Sequence, residues 1–442
     1  MLFAHQVVGA EWLAQRSRAY LGDAAGTGKS RTLIAGLLGI RERADGTLCN
    51  SREGRLAQRP LVVCPAIVRS HWTREFARLE PDPPPGFGPV IMSYNEIVNG
   101  RYDLMATLIQ NQKVDALILD EAHYLKSVDA ERSRIILGKD GYARRLPRVW
   151  LASGTPIPKN PGELGTVVCS IFPDVALKHK MKYPSDFVDR FCVTVPVRTH
   201  AGVWRDKVVG TQNINELHDI LGEIMLRREP GPDVPRVWWQ TLLLDGSGET
   251  KLDTYEDGLE VRHALDLGES FAEIANEPHI ARMRRRLGEL KAPLVGQMLR
   301  EELTDSTEKV VVFAHHRTVL NHLSHFVAPF GYAYIDGYTS QSERDKAVER
   351  FRGDPTCRVF LGQQLACGTG MDGLQYGARR AIFVEPDWTA TNNAQAAARI
   401  ARLGQSGRCV AQMIALAGTL DEAIVRQNER ETRMVSESLE VA

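Results

Sequence analysis

Long apolar runs, paired cysteines and an excess of charge of either sign are all missing from this sequence. No stretch of its 442 residues approaches the ~20 apolar positions that a membrane-spanning helix needs, so no membrane partner is expected. The N-terminus shows no charged-then-apolar export pattern, which points to a cytoplasmic setting. Seven cysteines are present without a Cys-x-x-Cys pair or a metal-ligand spacing. They read as reduced, mostly buried thiols, and a structural zinc is not expected. The formal net charge of zero excludes a uniformly basic protein but not a local basic groove, because fields act locally. What is plentiful is arginine, about threefold over lysine, which suits phosphate forks. The length allows two or three domains.

One stretch stands out. Tyr20-Leu-Gly-Asp-Ala-Ala-Gly-Thr-Gly-Lys-Ser30 crowds three glycines into a turn and runs into a segment whose Leu33, Ile34, Leu37 and Leu38 share a helical face. A glycine turn that opens a helix is an anion cradle, with backbone N–H groups and the helix N-terminus both directed at the ligand. Lys29 there reaches the β- and γ-phosphates and Ser30 holds Mg²⁺, so Asp23, Ala25, Gly26, Thr27, Gly28, Lys29 and Ser30 are candidate nucleotide contacts. The strict phosphate-loop pattern asks for glycine where this chain has Asp23, which leaves a glycine-rich turn with a chance Lys-Ser as the alternative. Upstream, Gln6 could present its amide to adenine or be a surface residue of a short helix.

Apolar strand-like runs then alternate with helix-like segments, which implies a doubly wound parallel sheet. Leu61–Pro65, Pro89–Tyr94, Ala116–Asp120 and Arg148–Ala152 are the first set. The third delivers Asp120 and Glu121 to a strand's carboxyl end, where ligands bind in open α/β sheets. Asp120 can hold Mg²⁺ through water, and Glu121 can orient and polarise an attacking water. Ser153 and Thr155 follow the fourth strand and could relay between the nucleotide and a second ligand. A proline- and aromatic-containing stretch, about 160–235, reads as an insertion, and about 245–290 as polar and helical, with the basic run Arg282–Arg286. A second α/β set occupies Lys309–Phe313, Tyr332–Asp336, Arg358–Leu361, Ala381–Val384 and Val410–Leu416. It has no phosphate loop of its own. Instead Gln395-Ala-Ala-Ala-Arg-Ile-Ala-Arg402 spaces Arg399 and Arg402 three apart, so on a helix both can face one anionic target, or both can face solvent.

The ordered set Gln6, Gly22–Ser30, Cys64-Pro-Ala66, Asp120-Glu-Ala-His123, Ser153-Gly-Thr-Pro156, Lys309–His316 and Gln395–Gln405 resembles the superfamily 2 helicases, and more narrowly the Swi/Snf-type DNA translocases. That family's phosphate loop carries an aspartate at the position of Asp23. Val311–His316, Ile335–Ser340, Leu290–Pro293, Phe187–Cys192 and Met225-Leu-Arg-Arg228 are similar to its annealing-helicase branch. A departure lies at Gln364–Gln375, where the family's Ser-Thr-x-Ala-Gly-Gly-x-Gly-Leu-Asn motif is replaced and its register shifts.

The resemblance implies two tandem RecA-like lobes with parallel sheets and a mostly helical insertion between them. The expected division is 1–235 for the first lobe, 236–290 for a linker or helical protrusion, and 291–442 for the second lobe. It further implies ATP and Mg²⁺ as cofactors. Lys29, Asp120, Glu121, Arg399 and Arg402 would act in hydrolysis, with Ser30 and Asp120 on the metal and His123, Ser153, Thr155 and Gln395 in coupling. Backbone contacts to nucleic acid are expected from Arg69, Ser70, Ser93, His315, Arg317 and Thr369. The implied activity is DNA-stimulated ATP hydrolysis with translocation on double-stranded or forked DNA, in a minimal prokaryotic or phage-type motor. A strand-separating DNA or RNA helicase and a nucleotide-gated clamp are the alternatives, and a replication, repair or nuclease partner is left open.

Overall fold

Six short runs between residues 18 and 226 are largely apolar on both faces, the pattern of strands covered from two sides. They are β1 (Arg18–Leu21), β2 (Pro60–Cys64), β3 (Val90–Ser93), β4 (Ala116–Asp120), β5 (Arg148–Ala152) and β6 (Met225–Leu226), all parallel, in the order β6-β1-β5-β4-β2-β3. The register brings Leu21 opposite both Leu226 and Ala152, Ala152 opposite Asp120, and Cys64 opposite Ser93. The carboxyl ends therefore share one edge. Strand alternation sends Leu21, Val62, Ile118 and Trp150 to one face, where Leu33, Leu37, Trp72 and Phe76 cover them. Tyr20, Leu61, Val63, Leu117 and Leu151 go to the other, against Ile136, Phe187 and Ile220. The covering helices that matter for the site are α1 (Ala4–Ala14), α2 (Lys29–Leu38), α3 (Arg69–Leu79) and α4 (Tyr94–Ala106).

The computed structural model describes residues 2–42, 48–50, 54–111, 113–198, 204–229, 231, 234–245, 278–367, 371–402 and 404–439. It divides into two units: Met1–Cys192 with Thr211–Glu229 and Val435–Ala442, and Val193–Gly210 with Pro230–Met434. The expected insertion does hold helices at Gly165–Ile171, Pro173–Lys178, Pro184–Phe191 and Ile214–Ile224, with Pro173 and Pro184 in first turns where a missing N–H costs nothing. It also holds a two-stranded ribbon, Cys192–Arg198 with Trp204–Thr211, and the edge strand β6.

The second unit repeats the parallel theme with β7 (Val237–Leu244), β8 (Val310–Ala314), β9 (Tyr332–Ile335), β10 (Val359–Gln363), β11 (Arg380–Phe383) and β12 (Cys409–Leu416), ordered β7-β12-β11-β8-β10-β9. Two differences from the sequence reading follow. Residues 237–244, expected in a linker, form an edge strand paired with β12 along its whole length. Helix α5 (Pro278–Asp305) then runs unbroken across the boundary expected at 290–291. Its stripe Ala292, Val295, Leu299 and Leu303 is buried against β8, β10 and α6 (Arg317–Val327), and Ile280, Met283 and Leu287 before it pack with Leu416, Leu420 and Ile424, so the whole helix lies on the second core. Most of the other residues expected there, 246–277, lie outside the described residues.

Candidate functional site

The glycine turn follows β1 and ends at Gly28, which caps α2 with φ +82. A side chain is excluded there twice over: the left-handed backbone disfavours it, and a Cβ would lie 2.2 Å from Gln6 Nε2. Gln6 is buried, and its amide is committed to the backbone, receiving Phe3 N–H at 3.0 Å and donating to the Thr27 carbonyl at 3.2 Å. His5 Nε2 sits 2.9 Å from the same carbonyl. Gln6 thus shapes the loop from α1. The Lys29 ammonium lies inside the turn, donating to the carbonyls of Asp23 at 2.9 Å and Ala24 at 3.0 Å. Thr27 turns its hydroxyl inward to the Ala24 carbonyl at 3.0 Å. Ala25, Gly26 and Ser30 are half-buried along the turn and the first helical residues.

Asp23 does not face the loop's interior. Its carboxylate is 1% exposed and is gripped by the Arg228 guanidinium through a two-pronged pair, with Nε at 3.0 Å from Oδ1. Arg228 also donates to the His5 carbonyl, and backbone bonds Gly22 N–H to Leu226 and Ala24 N–H to Arg228 extend the β1–β6 pairing up to the turn. Asp23 anchors the loop to β6 and α1, because a carboxylate this buried requires a matched charge.

Asp120 ends β4 on the same edge. Its Oδ2 accepts from Trp72 Nε1 at 2.8 Å and its Oδ1 from Glu121 N–H at 3.0 Å. Burial first, and the neighbouring Glu121 charge second, push its carboxyl up to about 6, against the opposing pull of Trp72 and Lys29. Glu121 has φ +50, a left-handed conformation that is costly for a residue with a Cβ. Its Oε2 accepts from Ser153 Oγ at 3.3 Å and lies 3.1 Å from His123 Nδ1, which is itself 3.0 Å from Ser153 Oγ. Thr155 N–H donates to Ser153 Oγ at 3.1 Å. Gly154 brings this turn against the phosphate loop: a Cβ on it would lie 3.2 Å from Lys29 Nζ and 3.3 Å from Ala25 N. Lys29, Asp120, Glu121, His123, Ser153 and Thr155 are thus gathered at one sheet edge.

Arg69 and Ser70 open α3 on that same edge and are exposed, Arg69 pairing with Glu96 at 2.9 Å. Ser93 is buried and caps α4 in a reciprocal box with Glu96, accepting from Glu96 N–H at 3.2 Å and donating to Oε2 at 2.9 Å. That bonding occupies the Ser93 hydroxyl within the chain.

In the second unit, His315 and Arg317 follow β8. Both His315 and His316 donate backbone N–H groups to the buried Glu385 carboxylate, at 3.0 and 2.9 Å, and His316 Nδ1 lies 2.7 Å from its other oxygen. Burial, then the Arg284 and His316 charges, lower His315 to about 4. Arg317 is exposed, 2.7 Å from Asp336 and stacked 4.7 Å over the Tyr338 ring. Gln395 is half-buried on α7 (Ala390–Ala397). Arg399 and Arg402 lie beyond that helix, not on its face as expected. The backbone tightens into i→i−3 bonds, Arg399 N–H to Ala396 and Ile400 N–H to Ala397, and unwinds the last turn. The two guanidiniums converge all the same, both on the Met371 carbonyl, at 2.9 and 3.2 Å. Thr369 lies outside the described residues, as do the neighbouring positions 368 and 370 of the irregular motif.

Residues 81–234 match the SNF2-related domain and residues 293–404 the helicase conserved C-terminal domain. The chain therefore carries an SNF2-related segment and a helicase C-terminal segment in tandem, and is similar to the Swi/Snf-type superfamily 2 ATPases. It is 29% identical over 402 residues to the human DNA annealing helicase and endonuclease ZRANB3, covering 86% of this chain and 36% of that protein. To the SWI/SNF-related matrix-associated actin-dependent regulator of chromatin subfamily A-like protein 1 of Xenopus tropicalis it is 26% identical, over 89% of this chain and 41% of the relative. The chain thus spans between about a third and a half of the length of the curated relatives it matches. A solved Sulfolobus solfataricus SWI2/SNF2 ATPase core in complex with dsDNA aligns over the whole chain at 17% identity with a TM-score of 0.42.

The phosphate loop lies before both matched segments, so its assignment rests on its own residues. Three participants were missed in the sequence. Trp72 shows only as a helix-face aromatic, although a buried indole N–H requires an acceptor. Arg228 was seen as half of an arginine pair but not as the partner of Asp23, 205 positions away. Gly154 carries no signal beyond its place in a small-residue turn.

Proposed function

We propose that this chain is an ATP-dependent DNA motor, a DNA-stimulated ATPase that translocates on double-stranded or forked DNA. The observation that carries the reading is the gathering of Lys29, Asp120, Glu121 and Ser153 around a glycine turn at one sheet edge. The SNF2-related match and the DNA-acting relatives supply the DNA side of it.

Lys29 would exchange its two carbonyl partners for the β- and γ-phosphates of ATP, while the turn's N–H groups hold the remaining oxygens. The donor set also fits Mg²⁺: a hydroxyl and a carboxylate are hard oxygen ligands, and each Asp120 oxygen has one donor and one lone pair to spare. Ser30 and Asp120 would hold that ion, which neutralises charge on the phosphates. Glu121, kept in place by Ser153 and His123, would orient the attacking water. Arg399 and Arg402, now on the Met371 carbonyl, would stabilise charge on the transferred phosphoryl group. Arg69, Ser70, His315 and Arg317 would grip the nucleic-acid backbone with little sequence preference.

The test is phosphate release with and without duplex DNA, for the wild type and Lys29→Ala. Stimulation by DNA and its loss in the variant are expected. A wild-type rate indifferent to every DNA, or hydrolysis that survives Lys29→Ala, would refute the assignment.

A further inference from the structure

Helix α3 is joined to the nucleotide site at two points, and neither belongs to a phosphate-loop or strand-end motif. Trp72, fully buried, donates its indole N–H to Asp120 Oδ2 at 2.8 Å. One turn further, Glu75 accepts from Arg31 Nε at 2.5 Å, and Arg31 follows Ser30 directly. Burial alone would raise the Glu75 carboxyl, but the Arg31 hydrogen bond and charge, joined by the His71 and Arg78 charges, outweigh it, so the group is held below its usual range. One turn before Trp72 the helix begins with Arg69 and Ser70, exposed at the sheet edge. Arg69, Trp72 and Glu75 are spaced i, i+3 and i+6, and the rigid turns between them transmit displacement without absorbing it.

We propose that α3 is the lever that couples DNA to hydrolysis, with Trp72 and Glu75 as positioning residues. The proposal rests on the ATP-dependent motor reading above and adds the route by which DNA acts on the rate. A phosphate backbone bound at Arg69 and Ser70 loads the N-terminus of α3. The load reaches Asp120 through the Trp72 N–H and reaches Ser30 through Glu75 and Arg31. These are the two groups assigned to the metal, so a small shift of one helix adjusts both together. Phe76, on the same face and packed in the core with Trp72, keeps the helix seated while it moves.

Two variants remove one coupling each while keeping the helix. Trp72→Phe retains an aromatic ring but deletes the N–H, and Glu75→Gln retains the shape but deletes the charge. The quantity to read is the ratio of ATPase rate at saturating duplex DNA to the rate without DNA, together with the dissociation constant for DNA and the melting temperature. At least a fivefold fall in that ratio is expected in each variant, with DNA affinity within twofold of wild type, which a purely structural role would not produce. Should Trp72→Phe fail to fold, Glu75→Gln carries the test alone. A wild-type ratio in Glu75→Gln, or a loss of DNA affinity that leaves the ratio at saturation intact, would overturn the lever. A wild type without DNA stimulation would overturn both the lever and the reading beneath it.

Discussion

The two sheets have the same number of parallel strands but opposite treatments of their polar strand ends. In the first unit Lys29, Asp120 and Glu121 are held at a glycine turn, with Glu121 in a left-handed backbone and Asp120 pushed up to about 6. In the second, the comparable edge is neutralised by its own chain: Glu385 by two backbone N–H groups and His316, and Asp336 by Arg317, Tyr338 N–H and Thr339. The architecture is shared, and the chemistry lies in the loops. Strain and imperfect charge compensation mark the first edge, while the carboxylates of the second are fully paired.

The largest effect that would sharpen this contrast is on hydrolysis. Lys29→Ala should lower the ATPase rate on the order of 10³-fold while leaving the circular dichroism unchanged, since the ammonium sits in the turn and donates to the Asp23 and Ala24 carbonyls. Next comes the anchor of the loop. Arg228→Ala leaves the 1%-exposed Asp23 carboxylate unpaired and should cost about 3 kcal/mol in denaturant unfolding of the first unit. Adding Asp23→Asn should recover part of that loss, because a neutral amide tolerates the site better than a stranded charge. No recovery would mean that Arg228 acts through packing alone.

A third effect belongs to the second unit and depends on pH. His315 is held near 4 when folded, against about 6.5 when unfolded, so between those values the unfolded chain binds the extra proton. Its contribution is fully present above pH 6.5 and falls as pH drops towards 4, by roughly 3 kcal/mol. His315→Asn should flatten that slope in urea titrations at stepped pH. The smallest effect is steric. Gly154→Ala places a methyl 3.2 Å from Lys29 Nζ and should lower kcat/KM for ATP about tenfold. An unchanged value would show that the two turns do not need their close approach.

Most strands were legible because a run buried on both faces is apolar throughout, as in Leu61–Cys64 and Ala116–Leu119. The phosphate loop was legible because its glycines and Lys29-Ser30 are local. What escaped was long-range or terminal. The Asp23–Arg228 pair and the Trp72–Asp120 hydrogen bond join residues far apart in sequence, and no local pattern encodes them. Strand β7 was passed over because it stands alone, its partner β12 lying some 170 positions downstream. Arg399 and Arg402 were assigned a helical face from their spacing, yet α7 ends at Ala397 and the convergence comes from a tightened turn.

The most direct measurement is the ATPase rate of the wild type on duplex DNA, single-stranded DNA, forked DNA and RNA in one buffer, repeated at rising salt. The expected result is strong stimulation by duplex or forked DNA, weak stimulation by RNA, and an apparent DNA affinity that falls steeply with salt. Equal rates with all four nucleic acids and with none would contradict a DNA-driven motor.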